Sequence, residues 1–156
     1  MNTLDSLLLQ FYNEHSSEQF ATVMKVDVEG YEANVLRGAE VILKSGRVLG
    51  IVMEFVPTLI RGHGDDPLAL LQFLLVDCGF ALFCMGVFGC SMEPKHSSGD
   101  SHAVRIGSSD LINFVRAMEF DGADLLFVHE SWISSDYVEN ALETLPTYAL
   151  LMYGSK

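Results

Sequence analysis

Four carboxylates in the first half of the chain have the surroundings that chemistry needs. Asp27, Glu29 and Glu32 lie in the run Lys25-Val26-Asp27-Val28-Glu29-Gly30-Tyr31-Glu32, and Glu54 lies in Val52-Met53-Glu54-Phe55. A carboxylate embedded in a Val-rich segment is costly unless it is paired or used. Such groups accept hydrogen bonds from an amine or hydroxyl, take a proton as general bases, or hold a hard cation through oxygen. Plainer roles stand beside these. Glu29 and Glu32 suit the positive end of a helix dipole. Lys25 shares a strand face with Asp27 and can pair with it. Gly30 is what a sharp exit from a strand requires.

Histidine and cysteine offer less. His15, His63, His96, His102 and His129 form no H-x-x-x-H pair, so no metal set is expected from them. His63 and His96 fall in expected loops and are candidate substrate contacts on that ground. Cys78, Cys84 and Cys90 are odd in number and lack CxxC spacing. They read as small buried hydrophobes in a reducing compartment, with neither a zinc site nor a disulfide framework.

The elements that must position the acids follow from periodicity. Thr3 or Asp5 is expected to cap a helix over Ser6 to Phe11. Residues 22–28 are β-branched and predict a buried strand, ended by Glu29-Gly30. Tyr31 to Lys44 carries Val35, Leu36, Ala39, Ile42 and Leu43 at helical spacing, so one amphipathic helix is expected there. Val48 to Val56 predicts a second buried strand, stopped by Pro57, and Arg61 to Asp66 a polar loop. A helix from about Asp66 to Cys78 precedes a strand over Phe80 to Met85. Gly86 to Gly107 is the longest expected loop. Ser109 or Asp110 is expected to cap a helix over Leu111 to Glu119, followed by a strand over Asp124 to His129 and a helix over Asp136 to Leu145. Strands alternating with helices predict an α/β fold with a mostly parallel sheet and helices on both faces, with room for an antiparallel edge among the later elements. In such a sheet, ligands sit beyond the carboxyl ends of the strands. Asp27, Glu29, Glu32 and Glu54 therefore converge on one rim.

The same segments carry a resemblance. Lys25 to Ala39 is similar to the pattern K-x-D-x-E-G-x-E-x-x-V-L-x-G-A of FkbM-type S-adenosylmethionine-dependent methyltransferases. Thr3-Leu4-Asp5-Ser6-Leu7-Leu8 resembles the T-L-D-x-L-L that precedes it, and Val52 to Phe55 the strand that follows. The resemblance is tight from Thr3 to Phe55 and diffuse through Val128. It implies a Rossmann-like methyltransferase sheet and O-methyl transfer from S-adenosylmethionine to a small molecule or sugar. Within that reading, position at the sheet rim puts Asp27, Glu29 and Gly30 beside the cofactor, Asp27 and Glu54 in the chemistry, and Glu32 and His63 beside the substrate. No G-x-G-x-G turn after a strand is present, so residues 1–150 read as one partial domain, the C-terminal half, lacking the cofactor-binding strands. Binding of S-adenosylmethionine by this chain alone is therefore doubtful. The competing reading is an inactive fragment or interaction module, and a third is a divalent-cation binder built from the rim acids. A half-sheet also exposes the flank of strand 22–28, which predicts self-association.

The bulk properties set limits. The chain of 156 residues has 49% hydrophobic residues, enough for a core. A formal charge of −12, with nine scattered basic residues, argues against nucleic-acid and anionic-membrane binding. The apolar stretch Pro67 to Met92 is long enough to cross a bilayer, but Asp77 near its middle argues for helix, Gly79 turn and strand instead. Met1 to Gln10 lacks the basic start and apolar stretch of a signal peptide, which leaves the cytoplasm as the default compartment.

Overall fold

The β-branched and aromatic runs form the sheet, because such side chains pack well on a pleated, buried surface. The computed structural model describes residues 2–14, 22–85, 104–119 and 121–133. Its strands are β1 (Thr22–Val26), β2 (Val48–Phe55), β3 (Phe80–Cys84), β4 (Val104–Ile106) and β5 (Ala123–His129). Their order across the sheet is β1-β2-β5-β3-β4. β1 and β2 are parallel, whereas β2–β5, β5–β3 and β3–β4 are antiparallel.

The expected mostly parallel sheet is thus corrected, and the cause is β4. This short strand lies inside the stretch read as loop, and it pairs antiparallel with β3, so the chain is reversed before α6 begins. The helix α6 (Leu111–Ala117) then carries that reversed direction into β5, which enters between β2 and β3. Strand, helix, strand reads as a parallel crossover only while the intervening hairpin is unseen. β1, β2 and β3 still point the same way, so their carboxyl ends share one rim with the start of β5.

One face of the sheet buries Ile51, Met53 and Phe55 of β2, Phe80, Leu82 and Cys84 of β3, and Leu125 and Phe127 of β5 in a single cluster. The helices α2 (Glu32–Arg37), α3 (Glu40–Lys44), α4 (Pro57–Gly62), α5 (Pro67–Gln72) and α6 pack on it through Leu36, Ile42, Ile60, Leu71 and Phe114. Burying each such side chain stabilises the fold by about 1.5–3 kcal/mol relative to exposure. The other face carries the smaller cluster Ala81, Phe83, Leu126 and Val128, with Ile133 of α7 (Glu130–Ile133) against it. Most of the described helices therefore lie on one face, where even cover of both was expected.

The helix expected over Tyr31 to Lys44 is broken at Gly38-Ala39, and Asp5 accounts for the break. Its carboxylate accepts hydrogen bonds from the backbone N–H of Val41 (3.0 Å) and Ile42 (2.8 Å), the free donors at the start of α3. Thr3 caps its own helix, α1 (Leu4–Glu14), through Ser6 N–H to Thr3 Oγ1 at 3.2 Å. So Thr3 serves the nearer helix and Asp5 a distant one.

Pro57 ends β2 and also opens α4, a helix the sequence reading left out. Asp66 caps α5 through Leu68 N–H at 2.9 Å, and the helix runs on as a π turn over Phe73–Asp77. The apolar stretch from Pro67 divides into this helix and β3, and among the described residues no helix is long and apolar enough to cross a membrane. Asp110 stands at the N-cap of α6, as one of the two expected residues, but its side chain accepts no capping hydrogen bond there; residues Ser108–Asp110 form a 3-10 turn leading into the helix. Cys78 is a buried free thiol, but Cys84 is disulfide-bonded, which corrects the reading of the cysteines as free hydrophobes. The expected helix over 136–145, and His15, His96, His102 and Cys90, lie outside the described residues.

Candidate functional site

The carboxyl ends of β1 and β2 set the site. In the parallel register Val26 lies level with Met53, so the residues that follow, Asp27 and Glu54, meet at the rim. After Val28 the chain turns through Glu29 at φ +52° and Gly30 at φ +99° into α2. The left-handed turn swings Glu29 back toward the two strands. Asp27, Glu29 and Glu54 each offer a carboxylate oxygen lying within 4.8 Å of the others. The sequence expectation that these acids converge is met for these three residues.

Glu32 holds the turn from beneath. Its Oε1 accepts from the backbone N–H of Gly30 (3.1 Å) and Val28 (3.4 Å), in the manner of a helix-capping acid. The residue is only 2% exposed, and its Oε2 is buried with no hydrogen-bond partner among the described residues. Glu32 is therefore no rim contact for a substrate, as the sequence reading had it. Its acid is drawn inward because the turn N–H groups need an acceptor.

Gly30 is likewise turned toward the protein. A Cβ there would lie 2.7 Å from Leu59 O and 2.6 Å from His63 Cδ2. The close approach at Gly30 is to α4, so the backbone and the neighbouring helix by themselves require glycine there. His63, at the end of α4, is exposed and its ring lies 3.8 Å from that of Tyr31, tilted by 35°. That pair borders the Glu29-Gly30 turn. His63 is thus brought to the rim as expected.

The electrostatics are crowded. Partial burial pushes the Glu54 carboxyl above its ordinary range, and the charges of Asp27, Glu29, Asp124 and Glu32 push it further. Asp124 is the site residue that the sequence reading missed. It stands directly across from Glu54 in the antiparallel β2–β5 pair. Like charges facing each other across strands destabilise a sheet. No sequence signal pairs them, because the contact exists only once β5 inserts beside β2. Lys25 forms the expected ion pair with Asp27, Nζ to Oδ2 at 3.1 Å, at an exposed position where it is worth little.

A second feature lies along α2 and α5. Ala33, Arg37, Asp65, Asp66, Ala69, Leu70 and Phe73 line a cavity of about 200 Å³. Two of its lining residues form a two-pronged ion pair, Arg37 Nη1 to Asp65 Oδ1 at 2.6 Å and Nη2 to Oδ2 at 3.1 Å. The Arg37 hydrogen bonds hold the Asp65 carboxyl below its ordinary range.

The family model of the methyltransferase FkbM domain matches residues 1–82, more than half of the chain. The chain belongs to the FkbM methyltransferase family. The FkbM span runs from α1 into β3 and contains Asp27, Glu29, Glu32, Glu54 and His63, whereas Asp124 lies beyond it. No curated protein and no solved structure matches the chain.

Proposed function

We propose that this FkbM protein takes part in methyl transfer from S-adenosylmethionine to an oxygen of a small molecule or sugar. The observation that carries the reading is the convergence of Asp27, Glu29 and Glu54 at the carboxyl ends of β1 and β2, inside the span matched by the family. Bound S-adenosylmethionine supplies an electrophilic methyl group on a sulfonium. Its ammonium and ribose hydroxyls are hydrogen-bond donors, and the rim presents carboxylate acceptors, so the donor set fits. Asp27 and Glu29 would accept from those groups. Glu54, whose carboxyl is raised above its ordinary range by partial burial and neighbouring acids, would take the proton of the acceptor hydroxyl. Most of the rate gain in such a displacement comes from holding the reactants aligned. His63 and Tyr31 border the acceptor side.

The chain then represents the later, C-terminal part of a Rossmann-like methyltransferase sheet. The position of β1 supports this: the strand bearing the motif is at the edge of the described sheet, paired only with β2 there.

Titration of the 156-residue chain with S-adenosylmethionine, followed by heat and by melting temperature, tests the reading. Saturable binding that Asp27→Ala abolishes is expected. A folded chain that gives neither heat nor a shifted melt overturns it in favour of an interaction module that keeps the fold without the chemistry.

A further inference from the structure

We propose that the cavity between α2 and α5 is a binding site for a small organic cation, a single ring carrying an ammonium or amidinium group. Ala33 comes from α2 and Ala69 from α5, and Leu70 and Phe73 complete the apolar lining. Alanines on both helices leave space that larger side chains would fill. The Arg37–Asp65 ion pair ties α2 to the segment before α5, and Arg37 also donates to Asn34 Oδ1 at 2.7 Å. The walls are therefore held in place without a ligand, as in most small-molecule sites. The volume is about 200 Å³, and a cavity of roughly 150 Å³ takes up one benzene, so one ring with a short arm fits.

The charge of the lining selects the sign of the ligand. Arg37 and Asp65 offset each other, which leaves Asp66 as the uncompensated charge among the lining residues. Asp66 Oδ1 caps α5 through Leu68 N–H, and its Oδ2 accepts no hydrogen bond among the described residues. Phe73 points the same way independently. Its ring already attracts an ammonium, with Lys44 Nζ 5.8 Å from the ring centroid. A carboxylate and an aromatic face on one apolar lining attract an organic cation, whereas an anion there meets Asp65 and Asp66 together.

The site does not depend on the methyl-transfer reading, because binding is read without S-adenosylmethionine. The full chain, isotope-labelled for nuclear magnetic resonance, is titrated with benzylammonium chloride, and with benzyl alcohol and benzoate as the neutral and anionic counterparts. The amide signals of Ala33, Ala69 and Phe73 are followed. Saturable shifts with benzylammonium are expected, weaker binding of benzyl alcohol, and none of benzoate. Asp66→Asn keeps an acceptor at the start of α5 and should weaken benzylammonium about two- to fivefold, the worth of one exposed charge pair. Ala69→Leu, at an exposed position of α5, fills the cavity and should abolish binding. The three probes are compared on the unaltered chain, so they decide the matter if a variant fails to fold. No saturable shift, benzyl alcohol or benzoate binding as tightly as benzylammonium, or full binding by Ala69→Leu would overturn the proposal.

Discussion

Replacing Gly30 by alanine measures how firmly the site turn is built. At φ +99° an L side chain is strained, at a cost of about 1–2 kcal/mol. The added Cβ would also lie 2.7 Å from Leu59 O and 2.8 Å from Leu59 C. These are backbone atoms of α4 and cannot rotate away, so α4 and the turn must part. Forced overpacking of this kind costs about 1–3 kcal/mol. Together the penalty is about 2–5 kcal/mol, a large share of the roughly 5–15 kcal/mol that holds a domain folded. For a chain of this size the melting temperature should fall by about 4–20 °C. Gly62→Ala is the control, since a Cβ there meets nothing within 4 Å and its φ is not positive. At the end of α4 it should be neutral or stabilising by up to about 1 kcal/mol. Thermal melts of the two variants, followed by circular dichroism, make the comparison. A Gly30→Ala protein melting within about 1 °C of the parent would refute both the turn geometry and the account of why glycine stands there.

Glu32→Ala should cost about 1–3 kcal/mol in urea unfolding, because the buried N–H of Gly30 loses its acceptor, whereas Glu32→Gln keeps an acceptor and loses less; equal losses would show that the hydrogen bond is unimportant. The carboxyl of Asp65 is held below its unfolded value by Arg37, so its contribution is present above the ordinary Asp value of about 3.9 and lost as pH falls through the folded value. Asp65→Asn should therefore cost about 0.2–1 kcal/mol at pH 7 and progressively less as the pH is lowered through the folded value, the small figure reflecting an exposed Arg37; urea melts over a descending pH series check it. Burial pushes the Cys78 thiol up to about 11, so peptide-mapped alkylation at pH 8 should be about a hundredfold slower in the native chain than in denaturant; equal rates would mean that the end of α5 opens freely. We further propose that β1, the edge strand of the described sheet, where Val23 is 63% exposed, mediates self-association. Val23→Lys should shift light-scattering mass toward the monomer, and an already monomeric parent would count against the edge.

What the sequence settled by itself was local. The β-branched runs that became β1 and β2, the apolar run of β3 and the strand over 124–129 were all legible, because period and composition act over a few residues. So was the placing of Asp27, Glu29 and Glu54 at strand ends, and the resemblance around Lys25 to Ala39 led to the right family. The tertiary structure decided the rest. A three-residue strand such as β4 has too little pattern to stand out in a Gly- and Ser-rich stretch, yet it reverses the chain and sets the direction of β5. That reversal alone brings Asp124 opposite Glu54. The break between α2 and α3 likewise depends on Asp5, which reaches Val41 and Ile42 from far away in sequence. Glu32 shows the same limit at the site: its position beside Glu29 suggested a rim contact, but the unmet N–H groups of its own turn drew it inside. Residue type and spacing state what a side chain can do. Which partner it does it with depends on contacts between distant segments, and those exist only in the folded chain.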